Sequence, residues 1–144
     1  MKIVPLNEIP RAEDVPLSNL MDVFRVCTKM VKVCSDNKGI GLSASQVGVP
    51  WKLFVVNFDG VYQYFVNCEY AGVGDKQKSL EGCLSLKNKN KFRRFEVERY
   101  ATILLTGTEL LIGDEVTLVE RREEVRGHRA IVFQHEIDHN FQRD

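Results

Sequence analysis

The chain has 144 residues, enough for one domain with a sizeable core. Its 20 basic and 20 acidic side chains cancel, so charge gives no reason to expect a nucleic-acid or anionic-membrane partner. No apolar run approaches the roughly 20 residues needed to span a bilayer. The N-terminus, MKIVPLNEIPRAED, has no apolar stretch after its lysine, so no signal peptide and a cytoplasmic location are expected.

In chain order, NLMDVFRVCTKMVKVCS carries apolar residues at Leu20, Val23, Phe24, Cys27, Met30, Val31 and Cys34. That spacing predicts a helix of four turns, and Pro16 and Ser18 suit its start. SDNKGIG breaks it. WKLFVVNF, rich in valine and aromatics, reads as a buried strand. The Asp59-Gly60 pair is a turn signal, and VYQYFVNCEY reads as a second strand. Here the period of two places Cys68 on the face of Tyr64 and Val66. FEVERYATILLTG and EVTLVER read as two more strands, with Gly107 and Gly113 marking turns. AIVFQHEIDHNFQ is helical again. Strands grouped between two helices predict a single α+β domain over residues 1–144, with mostly antiparallel sheets. The basic run Lys87–Arg94 reads as a solvated loop or hairpin tip.

The last helix contains His135-Glu136-Ile137-Asp138-His139. Two histidines four apart share one helix face, with β-carbons about 6 Å apart. A metal bonded to each imidazole at about 2 Å fits between them. Little chain follows His139, so a third ligand is sought upstream. His128, on a continuous helix, would lie about 10 Å from His135 along the axis; Gly127 could break that helix, so His128 is disfavoured rather than excluded. It suits a pocket wall or the surface better.

The four cysteines, 27, 34, 68 and 83, are not spaced as a disulfide framework and read as reduced thiols. Cys27 and Cys34 fall on the apolar stripe of the first helix, and Cys68 in a strand pattern, so all three read as core residues. Cys83, beside Gly82 in SLEGCLSL, is not needed for packing. Its thiolate would complete a Cys-His-His set with a fourth tetrahedral position open. The residues alone favour Cys83 without closing the choice.

Taken together, GIGLSASQ, EGCLS and QHEIDH resemble the three motifs of the peptide deformylase family, in the family's order and across nearly the whole chain. The resemblance implies an α+β fold built around the central HExxH helix. It also implies Cys83, His135 and His139 as ligands of one divalent ion, Fe(II) in the cell, with Zn, Ni or Co as substitutes. The implied activity is removal of the formyl group from N-formylmethionyl peptides on nascent chains. Such an ion lowers the pKa of a bound water toward about 7. Glu136 would accept the proton and return it to the leaving amine. The Gln46 amide and the Leu84 backbone N–H would stabilise the oxyanion. Peptide backbone would pair with Ile40, Gly41 and Gly82 as an added strand, and a methionine pocket would draw on Gly39, Ile40, Val132 and His128. Arg99 and Glu81 are expected to pair beneath the metal loop.

The chain departs from the family pattern at Ser43 and Ser45, where alanine and another small residue are more usual, and at Asn140, where leucine is usual. It also lacks the C-terminal extension of bacterial members, which resembles the short forms encoded by phages. Weak ribosome association and a monomer are the expectations. Rival readings are a zinc metalloendopeptidase using the same helix, and a non-enzymatic module with a structural metal. A structural site would fill four positions with protein groups, and only three good candidates are visible.

Overall fold

The computed structural model describes residues 1–83 and 94–140. An N-terminal helix, α1 (Leu20–Asp36), is followed by strands β1 (Gly41–Ser43), β2 (Leu53–Phe58), β3 (Val61–Gly82), β4 (Arg94–Ile112) and β5 (Val116–Arg126). A second helix, α2 (His128–Asn140), completes the described chain. The strands form one antiparallel sheet in the order β1-β2-β3-β4-β5. This is the α+β arrangement that the residue pattern predicts.

Helix α1 starts one residue later than Ser18 suggests. Asn19 is its cap, and the Asn19 side chain accepts the Asp22 N–H at 3.3 Å. Val23, Cys27, Met30 and Cys34 form its buried stripe. They meet Leu53, Val55, Val66 and Leu110 on one face of the sheet. Helix α2 covers the other face, where Ala130, Phe133 and Ile137 pack on Phe54, Val56, Phe65, Ile103 and Leu105. Alternate residues of β2 therefore serve two cores, as the period of a strand requires when both faces are covered. Three phenylalanines tie the second core together, with ring centroids of Phe54 and Phe65 each within 6 Å of Phe133.

Asp59 and Gly60, at φ 56° and 84°, make the turn between β2 and β3. The expected second strand is only the start of β3, which runs on to Gly82 as an exposed ribbon paired with β4. Two register shifts interrupt that ladder, one between Val66 and Glu69 and one between Val73 and Lys76. At the first, Asn67 and Cys68 stand opposite the single residue Gly107. Asn67 takes φ 55°, a conformation asparagine tolerates. Its side chain accepts the Val15 N–H at 2.7 Å and donates to the Val15 carbonyl.

This bulge corrects two expectations. Cys68 lies in the core under α2, with Phe65, and not on the face of Tyr64 and Val66. The extra residue reverses the alternation. Gly107 is not in a turn but inside β4, where a β-carbon would stand 2.3 Å from the Cys68 sulfur and 2.7 Å from its Cα. Gly113 does mark the turn into β5.

Gln134 fixes α2 onto the sheet. Its amide accepts the Tyr100 N–H at 2.9 Å and donates to the Tyr100 carbonyl at 2.8 Å. That position lies just past the end of the β5 ladder at Thr102–Arg126, so the side chain takes over where strand pairing stops.

Candidate active site

Helix α2 begins at His128, directly after Gly127 at φ 69°. His128 and His135 are therefore on one continuous helix, and His128 stands at its exposed N-terminal end, beside Phe58. His135 and His139 meet the end of β3 instead. Cys83 Sγ lies 3.4 Å from His139 Nε2, and His139 Nε2 lies 3.2 Å from His135 Nε2. The three donor atoms are all within 4.8 Å of one another. A tetrahedral ion with bonds of about 2.0–2.3 Å sets N···N and S···N separations near 3.4 and 3.6 Å. The donor set thus fits a soft to borderline divalent ion in size and in chemistry. Cys27, Cys34 and Cys68 are elsewhere, buried in the two cores. Burial pushes each of those thiols up to about 12.

A second layer holds the ligands. Glu81 Oε1 lies 2.7 Å from His135 Nδ1. Arg99 donates to both Glu81 oxygens, at 2.9–3.3 Å, and also to Asp138. Tyr70 Oη donates to the other Asp138 oxygen at 2.8 Å. The expected Arg99–Glu81 pair is present, and Asp138 and Tyr70 extend it. Burial raises the Glu81 carboxyl, but hydrogen bonds from His135 and Arg99 outweigh this and bring it down to about 2. Burial opposes a charge on Arg99, and Glu81 more than offsets that.

The histidines divide. Burial disfavours a charged His135, yet the Cys83 sulfur and the Glu81 carboxylate on either side raise it to about 10. Burial and the neighbouring His135 push His139 down to about 3.

Glu136, one residue on from His135, turns its carboxylate toward the first motif, where Ser43 Oγ lies 3.0 Å from Oε1. Burial raises its carboxyl above the usual range. A β-carbon on Gly41 would stand 2.6 Å from Glu136 Oε2, so glycine at 41 is what lets β1 approach the carboxylate. Gln46, in the 3-10 turn Ala44–Val47, donates from Nε2 to Cys83 Sγ at 3.3 Å. All three motifs thus converge.

A cavity of about 490 Å³ opens beside these groups. Gly39, Ile40, Gly41, Gly82, His128 and Val132, each expected at the substrate site, line it together with Gln46, Cys83, His135 and Glu136. Leu80 and Ile131 also line it and were not anticipated. Ile131 is one turn before His135, so helical spacing could have indicated it. Leu80 is 65% exposed, and its position on the ribbon could have been read from Gly82 by strand alternation. Leu84 and the loop residues 87–93 lie outside the described residues.

Residues 10–142 match the polypeptide deformylase family. The chain belongs to the polypeptide deformylase family. Among its relatives, peptide deformylase 2 of Geobacillus stearothermophilus is 39% identical over 148 residues, covering 89% of this chain and 76% of that one. In fold it resembles the Plasmodium falciparum peptide deformylase solved with an inhibitor, at 27% identity and a TM-score of 0.81, over 99% of this chain and 84% of that one. A probable peptide deformylase of Synechococcus phage S-SSM7 has the same fold, with a TM-score of 0.81, 24% identity, and coverage of 99% and 95%. The short chain thus has structural counterparts among phage deformylases. Its activity is peptide deformylation, and the family implies formylated peptides as substrates. The Cys83, His135 and His139 cluster is consistent with a metal-binding hydrolase. No helix among the described residues is long and apolar enough to cross a membrane.

Proposed function

We propose that Cys83, His135 and His139 hold one divalent ion, Fe(II) in the cell, and that the surrounding side chains remove formyl from N-formylmethionyl peptides. A cytoplasmic monomer acting on nascent chains is part of this reading. The observation that carries it is the Cys-His-His donor cluster, of which Cys83 and His135 line one cavity together with Glu136 and Gln46. The ion supplies Lewis acidity and water activated at neutral pH. Zn, Ni or Co suit the same donors.

The remaining work falls to the chain. The cavity takes an unbranched, polarizable methionine side chain against Ile40, Ile131 and Val132. Gly41 and Gly82 let an extended peptide approach the backbone at the strand ends. Burial raises the Glu136 carboxyl, which makes its carboxylate a stronger base; it takes a proton from the attacking water and delivers it to the departing amine nitrogen. Gln46, which lines the cavity and donates from Nε2 to the Cys83 sulfur, is the proposed donor to the oxygen that gains charge. Loss of one such donor costs about 10²–10³ in rate. Leu84 N–H is the proposed second donor.

An endopeptidase reading is disfavoured by the thiolate in the donor set. Metal analysis of anaerobically prepared protein, paired with turnover of formyl-Met-Ala-Ser, tests the ion. Glu136→Gln tests the proton carrier, because it preserves size and helix propensity. That variant should bind about one metal per chain and lose at least roughly 10²-fold in turnover. Near-normal turnover with full metal loading would assign the proton to another group. Equal rates on formyl-Met and formyl-Asp peptides would remove the methionine pocket.

A further inference from the structure

Ser43, one of the departures from the family pattern, has a fully buried side chain at the N-cap of the Ala44–Val47 turn. Its Oγ lies 3.0 Å from Glu136 Oε1 and 2.9 Å from the Glu136 carbonyl oxygen, donating one shared proton between them. Its backbone N–H donates to Gln46 Oε1 at 3.0 Å. The two residues form a capping box, with the Gln46 backbone N–H facing the Ser43 hydroxyl. Gln46 then uses its other amide atom on the Cys83 sulfur. One serine therefore touches the proposed proton carrier through its hydroxyl and the proposed oxyanion donor through its backbone.

The Glu136 carboxylate is bounded on two sides. Oε2 faces the Gly41 Cα, where a β-carbon would stand at 2.6 Å. Oε1 faces Ser43. The last torsion of a glutamate is soft and has broad preferences, so contact on one side alone leaves it free to swing. A hydroxyl held in place by the turn removes that freedom.

We propose that Ser43 is a positioning residue of this enzyme, its hydroxyl holding the Glu136 carboxylate in one orientation and its N–H holding the Gln46 amide. The proposal rests on the reading of Glu136 as proton carrier. Alanine at 43 deletes only the hydroxyl; the N–H to Gln46 stays.

The test compares the parent enzyme, Ser43→Ala, Glu136→Gln and the double variant, each assayed for metal content, KM and kcat on formyl-Met-Ala-Ser. Ser43→Ala should hold about one metal per chain, keep KM within about twofold, and lose about tenfold in kcat, the scale of a hydrogen bond to a charged group. In the Glu136→Gln background the same change should cost less than about twofold, because there is no carboxylate left to orient. A kcat within twofold of the parent overturns the proposal. So does a tenfold loss repeated in the Glu136→Gln background, which would place the action of the hydroxyl elsewhere. Normal turnover by Glu136→Gln alone is a different result, which removes the reading beneath the proposal and the proposal with it. Should Ser43→Ala fail to fold or to hold metal, Ser43→Cys, which fills the space with a weak donor, is judged by the same criteria.

Discussion

His135 Nδ1 and Glu81 Oε1 are 2.7 Å apart. An Nδ1–H donated to that carboxylate leaves the Nε2 lone pair directed at Cys83 and His139, and raises the basicity of the ring as a ligand. Glu81 is in turn held by Arg99, which Asp138 and Tyr70 complete. Glu81→Gln should therefore lower metal affinity by about 10–100-fold. Competition against a chelator measures it. Unchanged affinity would show that His135 is oriented by its helix alone.

The three core thiols predict how the protein responds to base. Cys27, Cys34 and Cys68 ionise near 9.0 when unhindered and are pushed by burial to about 12 in the folded chain. Between those values the unfolded chain has lost protons that the folded chain keeps. Stability is therefore undiminished by these groups below about pH 8 and falls as pH rises from about 9 toward 12. Thermal unfolding across that range should show the decline. In Cys83→Ala, which should lose metal and activity, no thiol should react with a disulfide reagent at pH 8 until the protein is denatured. Rapid reaction in the native variant would contradict the burial of these side chains.

Gly41→Ala isolates the approach of β1 to the site helix. The added methyl would meet Glu136 Oε2 at 2.6 Å, and the carboxylate, a side-chain terminus, is the group that gives way. The variant should fold and hold its metal while losing about 10²-fold in turnover. A variant as active as the parent would mean that β1 shifts instead.

Ser45 offers the opposite effect. Its Oγ is fully buried and has no hydrogen-bond partner among the described residues. Such a group costs about 1–3 kcal/mol. Ser45→Ala should raise stability by about 1 kcal/mol in denaturant unfolding, with kcat unaltered. A loss of stability would reveal a partner for the hydroxyl.

The parts of this molecule that were legible in its sequence are those where chemistry or period is local. The stripe Val23, Cys27, Met30 and Cys34 repeats at helical spacing, and His135 and His139 are one turn apart. Cys83 stood out because no packing pattern claimed it. The second half of β3 was not legible. Ala71–Lys78 is exposed throughout, so a ribbon with both faces in water carries no apolar alternation and reads as a loop. The β1 strand is three residues long, too short for any period. Asp138 and Tyr70 are 68 positions apart and meet only because the sheet is folded. Nothing near either residue announces the other.

The two bulges of β3 act as a pair of phase slips. Before the first, odd-numbered residues such as Phe65 face α2; between the slips the even-numbered Cys68 and Tyr70 do; after the second the odd-numbered Glu81 does again. One strand therefore presents Tyr70 to Asp138 and Glu81 to His135 on the same side of the sheet, although their numbers differ in parity. Removing one residue at the first slip would turn Tyr70 away from Asp138 unless the strand slid along β4 to compensate. Removing Gly74, which sits at φ 77° in the second slip, would turn Glu81 out toward solvent and leave His135 without its carboxylate. The reach of the metal centre thus extends along the exposed ribbon to a glycine that touches none of its ligands.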